Sequence, residues 1–217
     1  FNEARGAPVD ASTMRHRVMT GGSPRRVSGR FGGVLRFDGD DDFVAVGNCA
    51  ALNFKAGEDF TLQAWVKTGD STGGIAGKLS PGSGVAHRYE LSITRGKVRF
   101  LASNPDDGGI KVLSEETYDD NQWHHVAGVL DYDSGVTLYV DGREVGTTPH
   151  GFTGDFVTGQ DFIVGKQWDN WFGGLKGTID EVKISRGTRT FLTSDVQKKL
   201  DGLREELGEI EARISGL

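Results

Sequence analysis

Phe60-Thr61-Leu62-Gln63-Ala64-Trp65-Val66 alternates without a break, setting Phe60, Leu62, Ala64 and Val66 on one face of an extended chain. A helix would instead gather its apolar residues every three or four positions. The same texture continues downstream. Tyr89, Leu91 and Ile93 alternate, Thr94-Arg95-Gly96-Lys97 turns, and Val98, Phe100 and Ala102 alternate again, as in a hairpin with a short glycine-containing loop. Trp123 to Leu130 is a further strand. Val136, Leu138 and Val140 form another, closing on Asp141-Gly142, a dipeptide that tolerates the positive φ of a type I′ turn. Phe162-Ile163-Val164-Gly165 and Thr178 to Ile184 complete the C-terminal set. Upstream, Val34-Leu35-Arg36-Phe37 and Phe43-Val44-Ala45-Val46 flank the acidic turn Asp38-Gly39-Asp40-Asp41-Asp42. Residues 1–30 are polar and glycine-rich, with apolar positions too sparse for a strand, and Gly69 to Gly84 reads as a long polar loop. No helical pattern separates one strand from the next, so βαβ folds drop out and a sandwich or barrel remains.

Composition agrees. The chain has 33 glycines in 217 residues, about twice the usual ~7%, which fits many tight turns. A net charge of −6 argues against a nucleic-acid partner, and Arg25-Arg26 with Arg30 is too short a basic cluster to change that. Cys49 is alone, so no internal disulfide forms. No apolar run approaches the roughly 18 residues of a membrane span. The chain begins at Phe1, which places any signal peptide outside this sequence.

The last segment changes period. Ser194 is placed to cap a helix, with Gln197 as its capping-box partner. Val196, Leu200, Leu203, Leu207, Ile210, Ile214 and Leu217 then form a heptad seam. In a parallel homodimer Lys199 would face Arg204 and Glu206 would face Glu211, so both pairs repel and an antiparallel packing, against another helix or the sandwich, is expected. The reading divides the chain into a β domain over 1–192 and a helix over 193–217.

Several ordered motifs carry a family resemblance. Phe37-Asp38-Gly39 with Asp42-Phe43-Val44, Phe60 to Val66, Gln122-Trp123-His124-His125-Val126-Ala127, Leu138-Tyr139-Val140-Asp141-Gly142 and Gly177 to Ile184 together resemble laminin-G-like domains of the concanavalin A-like lectin/glucanase superfamily. The resemblance implies an all-β, two-sheet antiparallel jelly-roll sandwich, outside the cell or on its surface. It also implies a structural Ca²⁺ held by Asp180, with carbonyls from Gly39 and Asn2 and a side chain from Asp38. One or two carboxylates suffice when carbonyls complete the shell. The plain alternative is that Asp38 to Asp42 decorate a surface turn.

Related glycosidases place two carboxylates on one strand around a third acid. That E-x-D-x-x-E pattern is absent, and Glu115-Glu116 and Asp119-Asp120 sit in a polar loop. No nucleophile or metal-spaced ligand accompanies His124 and His125, which are expected to divide between core and solvent. No catalytic site is assigned. For a glycan the signal is aromatic surface beside polar groups. Trp65 and Trp123 lie inside strands and read as core. Trp168-Asp169-Asn170-Trp171 reads as a loop carrying two tryptophans, an acid and an amide, the candidate ligand contact; His87, Arg88 and Asn104 are weaker ones. The expected function is a non-catalytic binding or adhesion module for carbohydrate or glycoprotein. A structural spacer on a helical stalk is the alternative, and a glycan-processing enzyme a distant third.

Overall fold

The structure is a computed structural model that describes residues 8–12, 15–29, 32–80, 86–166, 173–193, and Val196, Leu203 and Leu207. Among the described residues fourteen strands, numbered in chain order, form two seven-stranded sheets. The first sheet runs β1 (Val18–Gly21), β4 (Phe43–Val46), β13 (Phe162–Val164), β6 (Thr72–Leu79), β7 (Arg88–Thr94), β8 (Lys97–Asn104), β9 (Gly108–Leu113). The second runs β12 (Arg143–Pro149), β11 (Gly135–Val140), β10 (Trp123–Asp131), β5 (Phe60–Thr68), β14 (Lys176–Arg186), β3 (Gly32–Asp38), β2 (Arg25–Gly29). Neighbours are antiparallel throughout. Of the sandwich and the barrel that the alternating strands left open, this is the two-layer sandwich.

The inward faces meet in one apolar core. Phe60, Leu62, Ala64 and Val66 of β5 are all buried, opposite Leu91, Ile93, Val98 and Phe100 of the first sheet. Phe54 stacks on Phe60 at 4.2 Å, with Tyr89 edge-on to Phe54 at 5.6 Å. The Tyr89 hydroxyl escapes burial without a partner by donating to the Leu52 carbonyl at 2.8 Å. Beside it lies a buried cation, Lys78, whose ammonium donates to the side-chain oxygens of Asn48 and Asn53, each at 2.6 Å. Burial pulls this lysine down to about 8, partly offset by Cys49 and Asp161.

Several sequence expectations need correction. Residues 1–30 contain β1 and β2, short edge strands whose sides are both partly exposed, so neither shows a clean alternation. The supposed loop from Gly69 to Gly84 contains the eight-residue strand β6. Its glycines mark close approach rather than looseness: a Cβ on Gly77 would lie 2.5 Å from the Tyr89 carbonyl oxygen. The expected type I′ geometry does hold at Asp141-Gly142, with φ of 51° and 78°.

After β14 the chain crosses the outer face of the second sheet, where Phe191 packs between His125 at 5.1 Å and Tyr139 at 5.4 Å. Of the helix expected over 193–217, only Thr193 and the seam positions Val196, Leu203 and Leu207 are described, and Ser194 and Gln197 lie outside the described residues. Val196, Leu203 and Leu207 have helical backbone there and are 46%, 52% and 55% exposed. The Val196 N–H donates to the Thr193 hydroxyl at 3.4 Å, one residue before the expected cap.

Candidate functional site

The β3–β4 turn and the connection from β13 to β14 meet at one end of the sandwich. Gly39 has φ of +92°, and a Cβ there would lie 2.8 Å from that of Lys176. Gly174 packs so tightly on Gly39 that its own Cβ would sit 2.8 Å from the Gly39 carbonyl carbon. Lys166 and Gly174 form an isolated antiparallel bridge, and the Leu175 N–H donates to the Gly165 carbonyl at 2.8 Å. The Lys166 ammonium reaches the Asp40 carbonyl at 3.1 Å. Both ends of the connection are thereby fixed against the acidic turn. Trp168, Asp169, Asn170 and Trp171, the candidate ligand contact, lie outside the described residues, but the two points from which they spring do not.

Within the turn, one carboxylate oxygen of each of Asp38, Asp41 and Asp42 lies within 4.8 Å of the others. Asp42 is buried and braces the turn, accepting from the Ser23 N–H at 2.6 Å and the Asp38 N–H at 3.0 Å. Asp38 accepts from the Asp40 N–H at 2.9 Å and, like Asp41, is exposed.

Of the implied calcium set, Asp180 does not come together with the Asp38-Gly39 turn. Lys176 faces Asp38 across the β14–β3 ladder, so Asp180 lies four residues farther along β14, roughly 13 Å away at ~3.3 Å per residue. Asn2 lies outside the described residues. Asp180 is fully buried; one oxygen accepts from the Glu181 N–H at 2.8 Å and the other has no partner among the described residues. Burial raises its pKa. The part of the set that can still offer several carboxylates to one ion is the turn, with Asp41 and Asp42 joining Asp38.

The two histidines divide between the faces of β10 as expected, His124 opposite core-facing Val66 and His125 opposite outward Trp65, but neither ring is free. His124 is held by Asp141 at 2.7 Å on Nδ1 and by Asp120 at 3.2 Å on Nε2. The hydrogen bond to Asp141, opposed by burial, raises its pKa. Both ring nitrogens are occupied by carboxylates, so neither is left to take a substrate proton, and the ring is a structural clamp. His125 sits under Phe191, bonded to Gln63 at 3.0 Å, and burial lowers its pKa. Trp65 and Trp123 are not core. The register puts both on the outer face of the second sheet, half-buried.

Three features escaped the sequence reading. On the outer face of the first sheet Glu90 is buried between Arg88 and Arg99, over the Gly77 backbone. Arg88 therefore belongs to a strand, not a loop. Asn104, fully buried, ties its own turn by accepting from the Asp106 and Asp107 N–H groups, while His87 reaches Asp155 at 3.2 Å. Between the sheets a cleft of about 470 Å³ is lined by Val44, Val46, Leu52, Phe162, Val164 and Val182. At its mouth the His16 ring meets Asp10 at 2.6 Å. Against the effect of burial, hydrogen bonds from Ser12 and His16 hold Asp10 down to about 2. Only the register, which juxtaposes distant segments, could have signalled these sites.

No curated protein matches the chain in sequence. Among solved structures it is similar to the binding domain of Paraclostridial Mosquitocidal Protein 1, at 16% identity and a TM-score of 0.66 over 88% of this chain and 48% of that one. It is similar to the botulinum neurotoxin serotype G binding domain at 12% identity and a TM-score of 0.68, over 90% of this chain and 48% of that one. The chain thus spans about half the length of those toxin domains. Domain 4 of AbnA, an extracellular arabinanase from Geobacillus stearothermophilus solved in complex with arabinotriose, matches at 19% identity and a TM-score of 0.60, over 81% of this chain and 84% of that domain. At these identities the likeness shows the fold alone. A family model described as Concanavalin A-like lectin/glucanases superfamily matches residues 38–191. With more than half of its length so matched, and with the two-sheet architecture that the strands build, the chain belongs to the concanavalin A-like lectin/glucanases superfamily.

Proposed function

We propose that this domain is a non-catalytic, extracellular carbohydrate-binding module whose ligand contacts the end of the sandwich where the acidic turn meets the loop carrying Trp168 and Trp171. The observation that carries this reading is the locked base of that loop, with Lys166 on the Asp40 carbonyl and Gly174 on Gly39. A loop held at both ends against polar groups can present aromatic rings to sugar C–H faces while amides and carboxylates fix the hydroxyls. The arabinotriose complex of the AbnA domain and the binding role named for the toxin domains support the class of function. Wild-type protein is expected to be retained in gels cast with at least one neutral polysaccharide (arabinan, xylan or mixed-linkage glucan) while releasing no reducing sugar from it. Release of reducing ends at a rate that scales with protein concentration would overturn the non-catalytic reading.

Calcium belongs to the same proposal, moved from the Asp180 set to Asp38, Asp41 and Asp42. These hard oxygen donors suit Ca²⁺, and a site present only in the folded state stabilises by about 2.7 kcal/mol at a hundredfold excess over Kd. The melting temperature is expected to rise with CaCl₂ and to lose that response in Asp41→Asn. An identical melting curve in calcium and in EDTA would remove the ion from the account.

The exposure of Val196, Leu203 and Leu207 favours a second role beside binding. The segment 193–217 would continue as a helix that packs antiparallel on another helix and displays the sandwich.

A further inference from the structure

Arg25-Arg26 with Arg30 is an unremarkable cluster in sequence, but the ladder of the second sheet assembles a different one. Arg25 faces Arg36 across β2–β3, Arg36 faces Thr178 across β3–β14, Thr178 faces Lys67 across β14–β5, and Lys67 faces Trp123 across β5–β10. The five side chains form one row on the outer face, since their strand neighbours Leu35, Phe37, Val66 and Ile179 point into the core. Arg25 and Arg36 are exposed, and Thr178, Lys67 and Trp123 are half-buried.

Two things mark this row. Like charges directly opposite one another destabilise a sheet, yet Arg25 is paired with Arg36 in a chain whose net charge is −6. Among the described residues, moreover, none of the side chains of Arg25, Arg36 and Lys67 has an ion pair or hydrogen bond. The acids nearby do not neutralise the row. Asp180 lies one row away but is buried, and Asp38, one row away on the other side, faces the further cation Lys176. Strands lie about 4.8 Å apart, so the cations from Arg25 to Lys67 span roughly 14 Å across three strand spacings. They are spaced like anionic groups along an extended sugar chain, with Trp123 at the far end to stack on a ring.

We propose that the row Arg25, Arg36, Thr178, Lys67 and Trp123 is a binding track for a linear acidic polysaccharide lying across the strands. It is separate from the tryptophan loop and does not depend on it. The shared chemistry is a chain of sugar-borne anions, either carboxylates or sulfates. The guanidinium of Arg36 binds an anion in a fork, the Lys67 ammonium as a point charge, and the Thr178 hydroxyl sits between them for a sugar hydroxyl. A nucleic acid fits less well, because three cations in an acidic body neutralise too little phosphate.

The test measures affinity at low salt for polygalacturonate, dextran sulfate, neutral dextran and single-stranded DNA. Wild-type protein is expected to bind one or both acidic polysaccharides and not neutral dextran, the carboxylate and sulfate arms telling the two sources apart. The variant Arg25→Gln/Arg36→Gln/Lys67→Gln should lose about tenfold or more, the scale of three screened charge contacts, with an unchanged melting temperature. Arg36→Lys alone should keep more of the binding than Arg36→Gln, a check that charge rather than folding is being read. A control of equal net charge, Lys55→Gln/Lys97→Gln/Lys111→Gln, should bind as wild type, and so should Trp168→Ala/Trp171→Ala, whose failure concerns only the loop. No binding by wild type, equal loss in the control, or tighter binding to DNA would each overturn the track.

Discussion

At Asp180 a carboxylate is withdrawn from water with one oxygen bonded to the Glu181 N–H and the other left without a partner among the described residues. Such a group raises its own pKa because burial disfavours the charge. The folded value lies above the unfolded one, so the unfolded chain ionises first as pH rises. Asp180 therefore costs nothing well below the ordinary carboxylate range, and its cost grows as pH climbs through that range and up to the raised value. Asp180→Asn keeps the acceptor for Glu181 and removes the charge. It is expected to stabilise the domain by about 1 kcal/mol at neutral pH, with the gain vanishing below about pH 3, measured by denaturant unfolding at the two pH values. A loss of stability that appears only in the presence of calcium would instead return Asp180 to the metal. The sequence made Asp180 visible but could not show its surroundings, because its four-residue offset from the Asp38 turn is a matter of strand register.

Strands were legible where one face is core and the other is not. β5, β7, β8 and β11 alternate because every second residue meets the opposite sheet. β6 escaped because close packing there demands glycine, and glycine reads as a turn. Tyr89 and Glu90 of β7 come so near Gly77 that no side chain fits. Gly77→Ala is expected to destabilise by about 2 kcal/mol or more, as an overpacked site whose obstacle is backbone cannot yield cheaply. Gly57→Ala is a poor comparison, since Gly57 has φ of +82°, whereas Gly159 has open space around it and no positive φ. Gly159→Ala should therefore leave the denaturant midpoint nearly unchanged. Equal midpoints for the Gly77 and Gly159 variants would show that β6 is not held as tightly as described. The edge strands β1 and β2 were illegible for the opposite reason, since partial exposure of both their faces leaves nothing for a period of two to record.

For the molecule as a whole, the architecture followed from composition and period, while the sites followed from what the two sheets bring together. The acidic turn and the tryptophan loop, read separately in the sequence, share a fixed base at one end of the sandwich. Cations scattered over residues 25, 36 and 67 fall into a row only when β2, β3, β14 and β5 are laid side by side. A net charge of −6 gave no hint of that row, because an overall sum carries no geometry. The proposed binding of sugar through the loop anchored on the acidic turn is tested by affinity electrophoresis of wild type beside Trp168→Ala/Trp171→Ala. A neutral polysaccharide is expected to retard the wild type, the double variant to migrate as in a plain gel, and both to melt at nearly the same temperature. Equal retardation of the two proteins would contradict it, as would a loss on the scale of ~3–5 kcal/mol in the variant's stability, the mark of buried aromatic residues rather than a binding surface.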